Sequence, residues 1–314
     1  MPQPVTTPEP TRRAAPARPV RWAVVLTVVC PVAVWALWRV FVATVAGQQV
    51  EQLAFNGAEY GQGRLWVVAG RVLDVVSVGF VVAAAITAVV VAVARRRWLL
   101  AGQAVLLVAG ANLTTQLVKV ALPREDLGTW RTYGNTLPSG HTTVAASVSA
   151  ALVLVVPPRA RPAVALVGAA YTAATGVSTL VGRWHRPSDV VAATFVVLGW
   201  AALVYLLGAL VPPSVPTVTG ALPTLGALPT LGAQPTVGAQ RRAAGGHRAA
   251  LTTLVVIGVA AGVVALVALA RTWTVRASFA DRTNEVVAYG GGVAAMGAAA
   301  AWMFAALLVL RRPT

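Results

Sequence analysis

Apolar residues in this chain collect into stretches of about twenty, the length a helix needs to cross a bilayer, separated by short segments that hold most of the charge. Eight such stretches occur, at 22–46, 66–94, 98–119, 141–156, 163–182, 188–211, 249–270 and 287–310, the fourth being short. The pattern predicts an all-α, polytopic membrane helical bundle with a six-helix core and two extra C-terminal transmembrane helices. Between core and pair, proline recurs too often for a helix: ALPTLG at 221–226, ALPTLG at 227–232 and AQPTVG at 233–238. The expected organisation is a disordered cytoplasmic tail (1–21), a six-span core (22–211), a flexible Pro/Gly-rich repeat linker (212–248) and a two-helix membrane hairpin (249–314). Gly258 and Gly262, four apart, and the Gly290-Gly291-Gly292 run suit close packing of that hairpin. The first stretch exceeds the apolar region of a signal peptide and reads as an uncleaved anchor.

Composition agrees, since 57% of the 314 residues are apolar and 11% charged, where a soluble domain carries about 25% charged residues. A single cysteine, Cys30, excludes a disulfide framework and a cysteine-based metal cluster. The formal charge of +16 would suggest nucleic acid in a soluble protein, but its placement argues otherwise. Arg12, Arg13, Arg18 and Arg21 precede the first stretch, Arg95, Arg96 and Arg97 follow the second, and Arg159 and Arg161 follow the fourth. Arg241, Arg242 and Arg248 precede the seventh, and Arg311 and Arg312 follow the eighth. Eight crossings put all five groups on one side, which the positive-inside rule makes cytoplasmic. Both termini are therefore expected in the cytoplasm, the charge is an orientation signal facing anionic lipid, and no nucleic-acid partner is implied. Arg71 and Asp74, three apart in the second stretch, are expected to pair with each other.

Lys119 is the chain's single lysine. It ends the third stretch at the outer end, with Asn112 and Gln116 before it on the same helical face. Alone it would be a snorkelling side chain at a membrane boundary. Three segments change that reading: Lys119 to Arg124, Pro138-Ser139-Gly140-His141 opening the fourth stretch, and Arg183-Trp184-His185 through Asp189 opening the sixth. The topology brings all three to the outer end. Cationic side chains beside the N–H groups of a helix start make an anion site suited to phosphate. Two histidines can divide phosphoryl transfer, one attacking phosphorus as a neutral imidazole and one giving a proton to the leaving oxygen. Asp189 follows His185 by four residues, so in a helix it can orient that ring and stabilise its cationic, phosphorylated form. His185 is then the nucleophile, and His141 the acid and later the base on water. A zinc ion on His141, His185 and Asp189 is the competing chemistry. Clustered cations disfavour a dication and favour an anion, so neither metal nor other cofactor is expected.

These segments resemble the signature of the type 2 phosphatidic acid phosphatase superfamily, which also contains vanadium haloperoxidases and glucose-6-phosphatase. That signature is a lysine and an arginine before a proline, then Pro-Ser-Gly-His, then Ser-Arg, a spacer, His, three residues and Asp. The likeness extends over about residues 60–210; Pro138 to His141 match in full, as does the spacing of His185 and Asp189. It implies His141 as acid, His185 as the phosphorylated residue, Lys119, Arg124, Ser139 and Gly140 around the phosphate, and no metal requirement. Two positions depart. Four residues instead of six separate Lys119 from Arg124, with Glu125 where proline would follow, and Thr179 stands where arginine is expected after Ser178. Arg183, one helical turn beyond Thr179, is expected to supply that missing charge.

The function these readings imply is hydrolysis of a lipid phosphate monoester or pyrophosphate, the headgroup in an extracytoplasmic site and the hydrocarbon left in the bilayer. Polyprenyl pyrophosphate, phosphatidylglycerophosphate and phosphatidate are the substrates the resemblance implies, and arginine for lysine with abundant Ala, Val and Gly suits a bacterial chain. Two alternatives stand beside it: a phosphotransferase passing the phosphohistidine group to an alcohol, and a catalytically impaired lipid-phosphate binder or transporter.

Overall fold

A computed structural model describes residues 18–61, 70, 86, 90, 98–128, 134–211, 237–278 and 281–311. Among them the chain is a multi-pass, all-α membrane bundle of eight α-helices, six of them long and apolar enough to cross a membrane. In chain order these are α1 (Arg18–Leu37, prolonged by a π-helical turn, Trp38–Val42), α2 (Val45–Gly57), α3 (Trp98–Ala121) and α4 (Gly140–Val155). There follow α5 (Arg161–Val181), α6 (Pro187–Leu210), α7 (Val237–Thr274) and α8 (Arg282–Leu310). The second predicted span, with Arg71 and Asp74, lies outside the described residues apart from three isolated positions, as do the tail before residue 18 and linker residues 212–236.

Two boundaries differ from the hydropathy pattern in ways that alter the packing, and α8 also begins at Arg282, ahead of the predicted 287. The first span stops at Val42, and extended Thr44 then caps α2, its hydroxyl accepting the Gly47 N–H at 3.0 Å. A Cβ on Gly47 would strike the Val40 carbonyl, so this tight reversal requires glycine. Beyond it lies α2, where apolar content predicts only a connection. Val50, Leu53, Ala54 and Gly57 recur at helical spacing, all buried, which is the sign of a short amphipathic helix. The second difference is at α7, which starts inside the predicted linker. Past Pro235 no proline interrupts the chain before residue 248, and Ala, Arg and Gln favour helix, so α7 runs for 38 residues.

The helices alternate in direction. Ala23, Ala202 and Leu310 cluster at one end, where Arg161 donates to the Arg311 carbonyl at 3.2 Å and Arg311 to Gln103 Oε1 at 3.4 Å. At the opposite end the C-termini of α3 and α5 meet the N-termini of α4 and α6, through Thr115 to Thr143 and through His185 N–H to the Thr179 carbonyl.

Small residues set the packing distances. Gly110 admits the Trp200 indole between α3 and α6, and Gly168 admits Phe304 between α5 and α8. In the C-terminal pair, Gly291 lies on Ala268 and Gly258 on Trp302, whereas a Cβ on Gly262 would meet nothing within 4 Å. The close approach in the expected Gly258/Gly262 motif therefore comes from Gly258. Large apolar side chains such as Leu113, Val167, Leu210 and Leu266 are exposed on the outside of the bundle, a surface suited to hydrocarbon rather than water.

Candidate active site

The site grows from the ends of four helices. Gly182 N–H bonds the Ser178 carbonyl to close α5, and Arg183 then takes φ 56°, the only left-handed non-glycine residue among those described. That turn folds the chain back so that the N–H groups of Trp184 and His185 both reach the Thr179 carbonyl, at 2.9 and 3.2 Å. Thr179 is fully buried, its hydroxyl spent on the Gly176 carbonyl at 2.7 Å. Pro187 then starts α6 at a position where its missing N–H costs nothing.

Asp189, at 0% exposure, organises this turn. Its Oδ2 accepts the Thr136 hydroxyl at 2.7 Å and the Arg186 N–H at 2.9 Å, and lies 3.2 Å from His185 Nδ1. With the carboxylate ionised, that contact is Nδ1–H donating to Oδ2, which leaves Nε2 with its lone pair. The His141 ring stands 6.1 Å from the His185 ring, centroid to centroid, and 5.4 Å from the Trp184 ring. His141 is exposed while His185 is buried. Among the described residues no group of three His, Cys, Asp or Glu is arranged to hold a metal ion.

Ser139 caps α4. Its hydroxyl accepts from the Thr142 N–H at 3.4 Å, and its carbonyl accepts from the Thr143 N–H at 3.0 Å. The Ser139 N–H itself goes to the Asp189 carbonyl at 2.8 Å. Of the four first-turn donors a helix leaves unbonded, those of Gly140 and His141 remain for a ligand. Lys119 Nζ lies 3.7 Å from where a Gly140 Cβ would stand, so the glycine leaves space between the ammonium and the helix start. Asn112 joins α3 to α4 through Ser147 at 3.3 Å, and Gln116 is exposed.

Arg124 is held by its loop. Trp38 Nε1 donates to the Pro123 carbonyl at 3.0 Å, Asn135 Nδ2 to the Leu122 carbonyl at 2.7 Å, and buried Gln48 Nε2 to the Glu125 carbonyl at 3.0 Å. Arg124 Nη1 is buried without a hydrogen bond. Burial foremost, then the Arg186 cation, lowers the Arg124 pKa, while Glu51 and Asp189 oppose that shift.

Two residues that sequence reasoning did not assign enter here. Arg186 is 6% exposed; its guanidinium lies 5.1 Å from the Phe55 ring centroid, and its Nε makes no hydrogen bond. Glu51, from α2, is 2% exposed, its Oε1 accepting the Ser188 N–H at 2.9 Å and its Oε2 unbonded. Burial foremost, then Asp189, raises the Glu51 pKa to about 7 against the opposing pull of Arg186. Arg183 faces elsewhere: it pairs with Glu59 at 3.1 Å, a third of its side chain exposed, and lies 4.8 Å from the Phe55 centroid. Lys119, Arg124, Gly140, His141, His185 and Asp189 are thus brought together, with Arg186 and Glu51 buried beside them and Arg183 more exposed.

Residues 100–211 match the family described as the PAP2 superfamily, so this part of the chain, from α3 through α6, is a PAP2 superfamily domain. It holds both histidines and Asp189, whereas α1, α2, α7 and α8 lie outside it. No curated protein and no solved structure matches the chain.

Proposed function

We propose that the protein is a metal-independent membrane phosphatase that hydrolyses lipid phosphate monoesters or pyrophosphates through a phosphohistidine. The carrying observation is the His185–Asp189 contact of 3.2 Å with the His141 ring 6.1 Å away. Asp189 holds the tautomer in which Nε2 of His185 is free to attack phosphorus. As the N–P bond forms, the bond from phosphorus to the leaving oxygen breaks, and that oxygen takes its proton from His141. His141, now neutral, removes a proton from water; the hydroxide attacks phosphorus, the N–P bond breaks, and His185 is restored with release of phosphate.

Charge on the phosphoryl oxygens is met by Lys119, Arg124 and the N–H groups of Gly140 and His141 at the cap formed by Ser139. Arg186 takes the part of the arginine that Thr179 replaces. Its burial beside Arg124 supports this, and Arg183, spent on Glu59, serves the approach to the site. With Arg161 and Arg311 at the far end of the bundle, the positive-inside rule orients the site outward and both termini to the cytoplasm.

The test is phosphate release by purified protein in detergent with chelator present, from phosphatidate, phosphatidylglycerophosphate and a polyprenyl pyrophosphate, beside His185→Ala. Release that survives chelator and disappears in the variant supports the reading. No release from any of the three, or release undiminished in His185→Ala, overturns it.

A further inference from the structure

A cavity of about 210 Å³ lies between α1, α2, α6, α7 and α8, of which only α6 belongs to residues 100–211. Its walls are apolar, with Phe41, Val50, Val191, Leu269, Ala288 and Ala295 among them. Thr272 is also in the wall, its hydroxyl bonded to the Ala268 carbonyl at 2.7 Å. The other polar residues of the lining, Glu51 and Ser188, lie together, the Ser188 N–H donating to Glu51 Oε1 at 2.9 Å. These two back directly onto the site, because Ser188 precedes Asp189 and Glu51 interacts electrostatically with Asp189 and Arg186. Leu266 both lines the cavity and is 68% exposed, so the space reaches the apolar outer surface beside α7.

From this geometry we infer that the cavity receives the hydrocarbon chain of the lipid phosphate, making α7 and α8 the helices that select for a tail. The inference rests on the phosphatase reading and adds a second binding site to it. Charge fixes the orientation: among the described residues the cavity lining holds no cation, while Arg124 and Arg186 on the domain side attract an anion, so phosphate stays outside and hydrocarbon goes in. Size agrees, since pockets that hold whole ligands run from about 300 Å³ upward. This one accommodates the first stretch of a chain, and the remainder passes Leu266 into the bilayer. Such burial adds affinity only when the chain comes from water. For a substrate already in lipid the cavity contributes positioning instead, holding the phosphorus at His185.

Ala265→Phe and Ala295→Phe fill the cavity from α7 and α8 without touching a catalytic group. With a long-chain phosphatidate in detergent, each is expected to raise KM at least tenfold. With a water-soluble aryl phosphate, the same preparations should keep kcat/KM within about twofold, which also reports that the fold is intact. Equal losses on both substrates, or no loss on either, would overturn the inference. A phosphatidate carrying a diazirine in its proximal chain supplies a readout independent of turnover: adducts are expected on α7 and α8 near Leu269 and Ala295, and adducts restricted to α3 and α4 refute the cavity as the tail site. If the wild type hydrolyses nothing, the phosphatase reading fails while the crosslink still decides where the chain lies.

Discussion

The backbone N–H of Ser139 donates to the carbonyl of Asp189 at 2.8 Å. One hydrogen bond therefore joins the cap of the helix that bears His141 to the residue that orients His185, and the two rings are positioned from a single backbone junction.

Thr136 should matter although it touches no substrate. Its hydroxyl donates to Asp189 Oδ2 at 2.7 Å, and hydrogen bonds to charged groups contribute about 1.5–3 kcal/mol. Thr136→Val is expected to lower kcat roughly tenfold with little change in KM, while Asp189→Asn lowers it at least a hundredfold. Steady-state kinetics on a soluble aryl phosphate measure both, and unchanged kcat in Thr136→Val removes the hydroxyl from the mechanism.

Arg186 and Arg183 make opposite predictions. Arg186→Ala is expected to raise KM by about 10- to 100-fold, the loss of a buried charge-assisted contact to phosphate. Arg183→Ala is expected to change it about fivefold or less, because exposed ion pairs contribute roughly 0–1 kcal/mol. The reverse ranking would return the missing arginine's part to Arg183. Because Arg183 has φ 56°, Arg183→Gly should also melt no lower than Arg183→Ala in a thermal scan.

Glu51 makes phosphate affinity depend on pH. Its pKa of about 7, raised by burial and Asp189, leaves it neutral below that pH and negative beside Arg186 and Arg124 above it. Vanadate inhibition should therefore weaken between pH 6 and 8 beyond the titration of vanadate itself, and Glu51→Gln should lose that excess. Stability carries the same sign. A carboxyl whose folded pKa lies above its ordinary 4.5 loses stability as pH rises from there through about 7, so the melting temperature of Glu51→Gln should exceed that of the wild type most above pH 7.

Gly57 fixes α2 against α8. A Cβ there would run into the backbone carbonyl of Glu285, which cannot yield as a side chain tip would. Gly57→Ala should cost about 1–3 kcal/mol, seen as a lower melting temperature. A variant as stable as the wild type would show that α2 can shift freely.

The bundle was legible because membrane helices announce themselves by length and apolar content. The histidines and Asp189 were legible because their spacing survives in the chain. What escaped was carried by finer signals. Val50, Leu53, Ala54 and Gly57 have the period of a helix but too little hydropathy to stand out beside 20-residue spans, so nothing in the pattern singled out Glu51 between them. Arg186 was hidden by the expectation of one further helical turn beyond Thr179. The left-handed residue at Arg183 breaks that helix, swings Arg183 to Glu59 and turns the chain so that Arg186 is the buried arginine.

Phe55, on α2, lies under both Arg183 and Arg186 at 4.8 and 5.1 Å, and the loop of Arg124 hangs from Trp38 and Gln48. None of these three supports belongs to residues 100–211. The stretch that matches the family and the set of residues that builds the candidate site therefore have different borders. A fragment cut at the family limits keeps both histidines yet leaves the Arg124 loop with Asn135 but without Trp38 and Gln48, and Arg186 without its aromatic floor. Swapping this domain for that of a relative would likewise carry the site's cations and Asp189 but not Glu51, Phe55, Trp38 and Gln48, which the flanking helices supply.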